Sequence, residues 1–233
     1  MKPSPALLLA LVLLVLVPEA LHAQERRDPR PVTIDSVFHG LQARAIGPAG
    51  TSGRIAALAV APNDHRVIYA GAATGGLWRS VDGGLTWSPL MDDTPVNSIG
   101  AVAVSPTSPD IIWVGTGEAN ARNSMGVGRG VWKSIDGGES WTHMGLPRTE
   151  HIEAIIPHPT DPDVVWLSAM GPAWSAGDQR GIFRTRDGGR TWDNVLYVDD
   201  TSGGFELVMD PSNPLHLLAS TWQFRREPWF MRS

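Results

Sequence analysis

Ser80-Val81-Asp82-Gly83-Gly84-Leu85-Thr86-Trp87 recurs as Ser134-Ile135-Asp136-Gly137-Gly138-Glu139-Ser140-Trp141, and again as Thr185-Arg186-Asp187-Gly188-Gly189-Arg190-Thr191-Trp192. Asp82 and Asp136 are 54 positions apart, and Asp136 and Asp187 are 51 apart. A second marker keeps the same register. Five positions after the prolines at 62, 106, 159 and 211 come Val67, Ile111, Val164 and His216, each followed by a pair of apolar residues: Ile68-Tyr69, Ile112-Trp113, Val165-Trp166 and Leu217-Leu218. Upstream of the prolines lie Leu58, Val102, Ile155 and Leu207. Two markers in phase over four units define an internal repeat.

Each unit reads as four short strands. The first runs into the proline turn, as Ile55 to Ala61 does, and the second leaves it, as Val67 to Ala73 does. The third precedes the Asp-Gly-Gly box (Leu77-Trp78-Arg79, Val131-Trp132-Lys133, Ile182-Phe183-Arg184), and the fourth begins at the box tryptophan. Four strands in about 50 residues make the blade of a β-propeller. The expected fold is therefore all-β. Within the box, Asp-Gly-Gly suits a tight turn whose backbone angles disfavour side chains. The aspartate accepts hydrogen bonds from turn amides, the Ser or Thr hydroxyl adds another, and the tryptophan covers the turn. A calcium loop requires several oxygen ligands at alternate positions, and each box offers one aspartate. The structural role is expected for Ser80, Asp82, Gly84, Thr86, Trp87, Ser134, Asp136, Gly138, Ser140, Trp141, Thr185, Asp187, Gly189, Thr191 and Trp192.

These segments resemble the Asp-box (BNR) repeats of bacterial sialidases, other glycoside hydrolases and sortilin-type propellers, over about residues 50 to 233. Gly47-Pro48, Ser52-Gly53-Arg54-Ile55, Gly115-Thr116-Gly117-Glu118 and Arg122-Asn123-Ser124 are similar to stretches of large exported bacterial proteins with sortilin-like or glycosyl hydrolase-like labels. The resemblance implies a blade and says little of activity, which must be argued from a site.

The chain holds 233 residues with 25 Gly, 19 Pro, 10 Trp, no Cys and a net charge of −5. Frequent Gly and Pro, without a sustained 3.6-residue apolar period, agree with many short strands. Dispersed acidic charge gives no reason to expect nucleic acid or an anionic membrane as partner. Lys2 followed by the apolar run Ala6 to Val17 reads as a signal peptide cleaved after Ala23, and the run is shorter than the roughly 20 residues a membrane span needs. The expected organisation is a signal peptide at 1–23, an extended segment at 24–49, and blades near 50–97, 98–150, 151–203 and 204–233. The product is expected to be secreted or periplasmic, with no membrane contact after cleavage. By the spacing of the earlier units, the fourth box aspartate is due near position 239 to 241. About three and a half blades are therefore present, the ring is incomplete, and further blades of a longer chain are expected as partners.

Chain direction sorts candidate functional residues. Links between blades and the connections from second to third strand share the face opposite the boxes. Those connections are lengthened in the second and third units, and lengthened loops on a rigid scaffold commonly bind ligands. They carry Glu118, Arg122 and Asn123, then Trp174 and Asp178; the fourth unit adds Trp222, Arg225 and Arg226. Arg54 and His151 lead into inner strands on the same face. Arginine clamps carboxylates and tryptophan stacks on sugars. The favoured reading is a module binding a peptide, glycan or protein on this face, without cofactor or metal, since neither His151 nor His158 has a second histidine at ligand spacing. The alternative is a glycoside hydrolase. Arg54-Ile55 matches half of the sialidase Arg-Ile-Pro segment, and Tyr69 and Tyr197 read as strand residues away from the loop face. Glu118 and then Asp178 are the acidic candidates for a two-carboxylate mechanism, with Arg54 as a third catalytic candidate.

Overall fold

The computed structural model describes residues 54–232. The expected signal peptide and the segment up to Gly53 lie outside them. Strands and turns account for all the regular structure described.

The first sheet joins β1 (Ile55–Ala61), β2 (Asp64–Ala72), β3 (Gly76–Ser80) and β4 (Ser88–Leu90) in sequence order, each antiparallel to the next. The second repeats this with β5 (Ile99–Ser105), β6 (Ser108–Thr116), β7 (Val131–Ser134) and β8 (Thr142–His143). The third uses β9 (Ile152–Pro157), β10 (Val165–Ala169), β11 (Gly181–Thr185) and β12 (Asp193–Leu196). A two-stranded sheet follows, β13 (Ser202–Asp210) with β14 (Asn213–Gln223), then a small hairpin of β15 (Arg225–Arg226) and β16 (Met231–Arg232). These meandering four-stranded sheets are propeller blades, and the first strands of successive blades, β1, β5, β9 and β13, pack one against the next. The last strand of each complete blade starts one residue after the box tryptophan.

Blades meet through side chains that the repeat places in register. Ile99 of β5 sits over Gly71 of β2, and Ile152 of β9 sits over Gly115 of β6; a Cβ on either glycine would overlap the isoleucine. Where the third blade has Ser168 at the corresponding position, its hydroxyl donates across the interface to the Phe205 carbonyl at 2.6 Å. Tyr69, Leu77, Ile99 and Val114 fill the first interface; Trp113, Val131, Ile152 and Phe183 fill the second. The third is thinner, built on Trp166, Ile182 and Leu207.

The boxes form three copies of one hydrogen-bonded turn. The Ser80 hydroxyl donates to Asp82 Oδ1 at 2.8 Å and accepts from the Gly84 amide at 2.8 Å. Asp82 then accepts from the Thr86 amide at 2.9 Å and the Thr86 hydroxyl at 2.6 Å. Asp136 and Asp187 make the same bonds with Ser134, Ser140, Thr185 and Thr191. These donors hold all three carboxyls well below the usual range, at about 2. The paired glycines have φ between 70° and 98°, the left-handed region that side chains resist. The tryptophans differ in cover. Trp87 is 38% exposed and returns its indole N–H to Gly84, whereas Trp192 is half-buried and donates to Met144 of the preceding blade at 2.7 Å. A turn in the second or third blade also rests on its predecessor: Gly138 lies against Leu90, and Gly189 against Trp113 and Met144.

Candidate functional site

Antiparallel order places the N-terminal ends of β1, β5 and β9 beside the C-terminal ends of β2, β6 and β10, at the edge opposite the box turns. On this loop face, residues 117–130 fold tightly back over the inner strands. Gly117 (φ 87°) and Gly128 have no room for a side chain beside the backbones of Glu150 and Thr116. The Gly128 amide donates to the Glu150 carbonyl at 2.8 Å, and Glu150 itself takes a left-handed φ of 54°. Strained non-glycine backbone of this kind persists only where its surroundings enforce it.

The packed loop buries Glu118 completely. Arg54, whose side chain is 38% exposed, clasps both carboxylate oxygens in a two-pronged pair, with Nε to Oε1 at 2.7 Å. The two best sequence candidates from the first and second units thus meet, and Arg54 covers Glu118 from solvent. Beside them His151 is also fully buried, and neither ring nitrogen has a hydrogen-bond partner among the described residues. Burial pushes its pKa down to about 4, with Glu118 opposing and Arg180 reinforcing the shift. Its imidazole is neutral at ordinary pH. His158, by contrast, is a turn residue whose Nδ1 accepts from the Thr160 and Asp161 amides.

A second seam joins the loops of three blades. Ala119, Met170, Ala173 and Phe224 form a buried cluster against which Ala121, Met125, Phe205 and Trp222 pack. Trp222 is wedged between Phe205 and Phe224, at 5.2 and 4.9 Å between ring centroids. Arg180, nearly fully buried, pins the 170–175 loop by donating to the carbonyls of Met170, Pro172 and Ser175. Asn123 accepts from Arg226, whose amide reaches the Ala173 carbonyl at 2.7 Å. Arg225 lies 4.0 Å from Glu227. Arg122 and Trp174 are exposed, the latter by 48%. Asp178 is exposed too and pairs with Arg148 at 2.6 Å. The structure therefore brings together Asn123, Arg226, Trp222 and the Trp174 loop around one seam, while the Glu118 side chain pairs with Arg54 instead. Tyr69 is buried in an interface between blades, and Tyr197 follows β12 half-exposed.

Sequence reasoning passed over one carboxyl. Glu153 occupies an irregular step in β9, between Ile152 paired with Ala169 and Ala154 paired with Ser168. β13 carries Glu206 on the neighbouring inner strand, also within an irregular step. Burial first, and the charge of Glu206 second, push the Glu153 carboxyl up to about 7. A carboxylic acid half-protonated near neutrality is a functional candidate with a physical cause. The signal in the sequence was faint: Ala56 and Gly100 stand at the corresponding positions of the first two units. Among the described residues no group of three His, Asp or Glu is placed to hold a metal ion.

No family model matches the chain. It is 27% identical over 194 residues to a xyloglucanase of a Paenibacillus species, covering 70% of this chain and 18% of that protein. It is 25% identical over 239 residues to the xyloglucanase Xgh74A of Acetivibrio thermocellus, covering 68% and 26%. The chain thus spans only about a fifth to a quarter of these relatives. Among solved structures it is similar to an ancestral GH74 enzyme, with a TM-score of 0.58 at 21% identity over 72% of this chain and 22% of that one. The Niastella koreensis GH74 enzyme gives 0.52 at 22% identity, over 68% and 24%. These structural likenesses define the class: a β-propeller.

Proposed function

We propose that this chain is part of a secreted, glycan-directed β-propeller of the glycoside hydrolase type, holding polysaccharide on the loop face. The observation that carries this reading is the gathering of three blades' loops around one seam, with arginine and exposed tryptophan at its surface. The likeness to xyloglucanases at the level of sequence supports a glycan over a peptide or protein ligand. The box turns are Asp-box turns on this reading, and they serve as scaffold.

For hydrolysis, Glu153 is the better candidate for a general acid than either carboxylate singled out from sequence. Glu118 is buried and committed to Arg54, and Asp178 is exposed and paired with Arg148. An acid whose proton is held to about pH 7 can donate to a leaving oxygen at neutral pH, with Glu206 as the neighbouring carboxylate. The test is hydrolysis of xyloglucan and other β-glucans by the protein and by Glu153→Gln. Loss of at least a hundredfold in kcat, with KM retained and the alkaline limb of the pH profile removed, is the expected outcome. Binding of xyloglucan without any hydrolysis by the unaltered protein would reduce the function to glycan binding.

A further inference from the structure

The hairpin of β15 and β16 concentrates positive charge in a chain whose net charge is −5. Arg225 stands directly opposite Arg232 across the two strands, and Arg226 opposite Met231. Like charges directly opposed on a strand pair destabilise it. Among the described residues, the carboxylate paired with either of them is that of Glu227, at 4.0 Å from Arg225. Arg226 faces a neutral partner, Asn123, and Arg122 is exposed on the same loop as Asn123. The Nε–H groups of Arg225 and Arg226 are both buried and find no acceptor among the described residues. Nε is one prong of the fork with which arginine grips a carboxylate. At the tip, Trp229 is 77% exposed and Phe230 40% exposed, with the Arg232 guanidinium 5.7 Å from the Phe230 ring.

We propose that this hairpin is a subsite for a carboxylate-bearing glycan, one containing uronic acid residues. The Arg225–Arg232 pair grips the sugar carboxylate, which relieves their mutual repulsion, and Trp229 supplies a flat apolar surface for the sugar ring. The inference rests on the glycan reading above and narrows its ligand class. A neutral polysaccharide would leave the opposed guanidiniums uncompensated.

The experiment is calorimetric titration of the full chain with an oligogalacturonide, a neutral xyloglucan oligosaccharide and a glutamate oligopeptide, at low and high salt. The oligogalacturonide is expected to bind at least about tenfold more tightly than the other two and to weaken with salt. Arg225→Gln with Arg232→Gln should remove that preference without lowering the melting temperature, since the repulsion between the opposed charges goes with it. Should the double variant melt early, Arg232→Gln alone, on the exposed outer strand, is read in the same way. Equal binding of neutral and acidic oligosaccharides, or no effect of these variants, overturns the uronate subsite and leaves the glycan reading standing. Preference for the oligopeptide overturns it in favour of a protein ligand. Absence of binding to either oligosaccharide overturns the subsite and the glycan reading together.

Discussion

The two faces of this propeller use the same residue types to opposite ends. On the turn face, Asp82, Asp136 and Asp187 repeat one set of bonds within about a tenth of an ångström, and each carboxylate is satisfied by its own neighbours. On the loop face no two blades agree. Glu118 depends on Arg54, 64 positions away, and Asn123 on Arg226, 103 positions away. Local satisfaction makes a feature repeatable, because it survives whatever the next blade contains. Long-range satisfaction makes it particular to one assembled protein, which is the condition a specific binding surface needs.

Four substitutions test that contrast. Arg54→Ala should have the largest effect, since it strands a buried carboxylate; a loss of about 3 kcal/mol in denaturant unfolding is expected. Adding Glu118→Gln to it should recover part of the loss, because the uncompensated charge is then gone. A neutral effect of Arg54→Ala would mean that Glu118 finds its partners locally after all, and the contrast would fail. Asp136→Ala should cost less, a fall of a few degrees in melting temperature, with ligand binding untouched. The turn carboxylates also set an acid limit. Their folded pKa of about 2 lies below the ordinary 3.8, so their contribution is complete above about pH 4 and is lost as pH falls toward 2. Asp136→Ala should flatten that part of the melting-temperature profile. Trp174→Ala should have the smallest effect on stability, within about 0.5 kcal/mol, since its ring is half-exposed. Glycan affinity is where it should register, and a change in melting with affinity intact would place Trp174 among the packing residues.

What could be read from the chain beforehand follows the same division. β1 was expected at Ile55 to Ala61 and is found there, because a strand ending at a proline turn is specified by neighbours in sequence. β14 runs further than the Leu217-Leu218 pair suggested, to Gln223, since its length is set by pairing with β13. Residue types and strand direction sufficed to nominate Arg54 and Glu118. Their pairing depended on how closely glycines 117 and 128 let the loop approach, which no spacing reveals. Glu153 escaped notice because its altered acidity comes from burial and from Glu206 on another strand. The opposed arginines of the last hairpin were nominated only in part: Arg225 and Arg226 stood out, but Arg232 gains meaning from register alone.

One contact between blades carries a consequence in time. Arg79, at the end of β3, donates at 2.8 Å to the carbonyl of Gly137 in the following blade, and Lys133, in the same place on β7, reaches Gly188 at 3.2 Å. Lys133 is itself steadied over the Trp113 ring at 4.6 Å. The first two blades therefore each extend a cation forward to receive a turn that has yet to be made. As the chain leaves the ribosome, the receiving group is always synthesised before its guest, about 55 residues ahead, several seconds at ordinary rates of translation. Growth can then proceed like a zip, each finished blade serving as the template on which the next is seated.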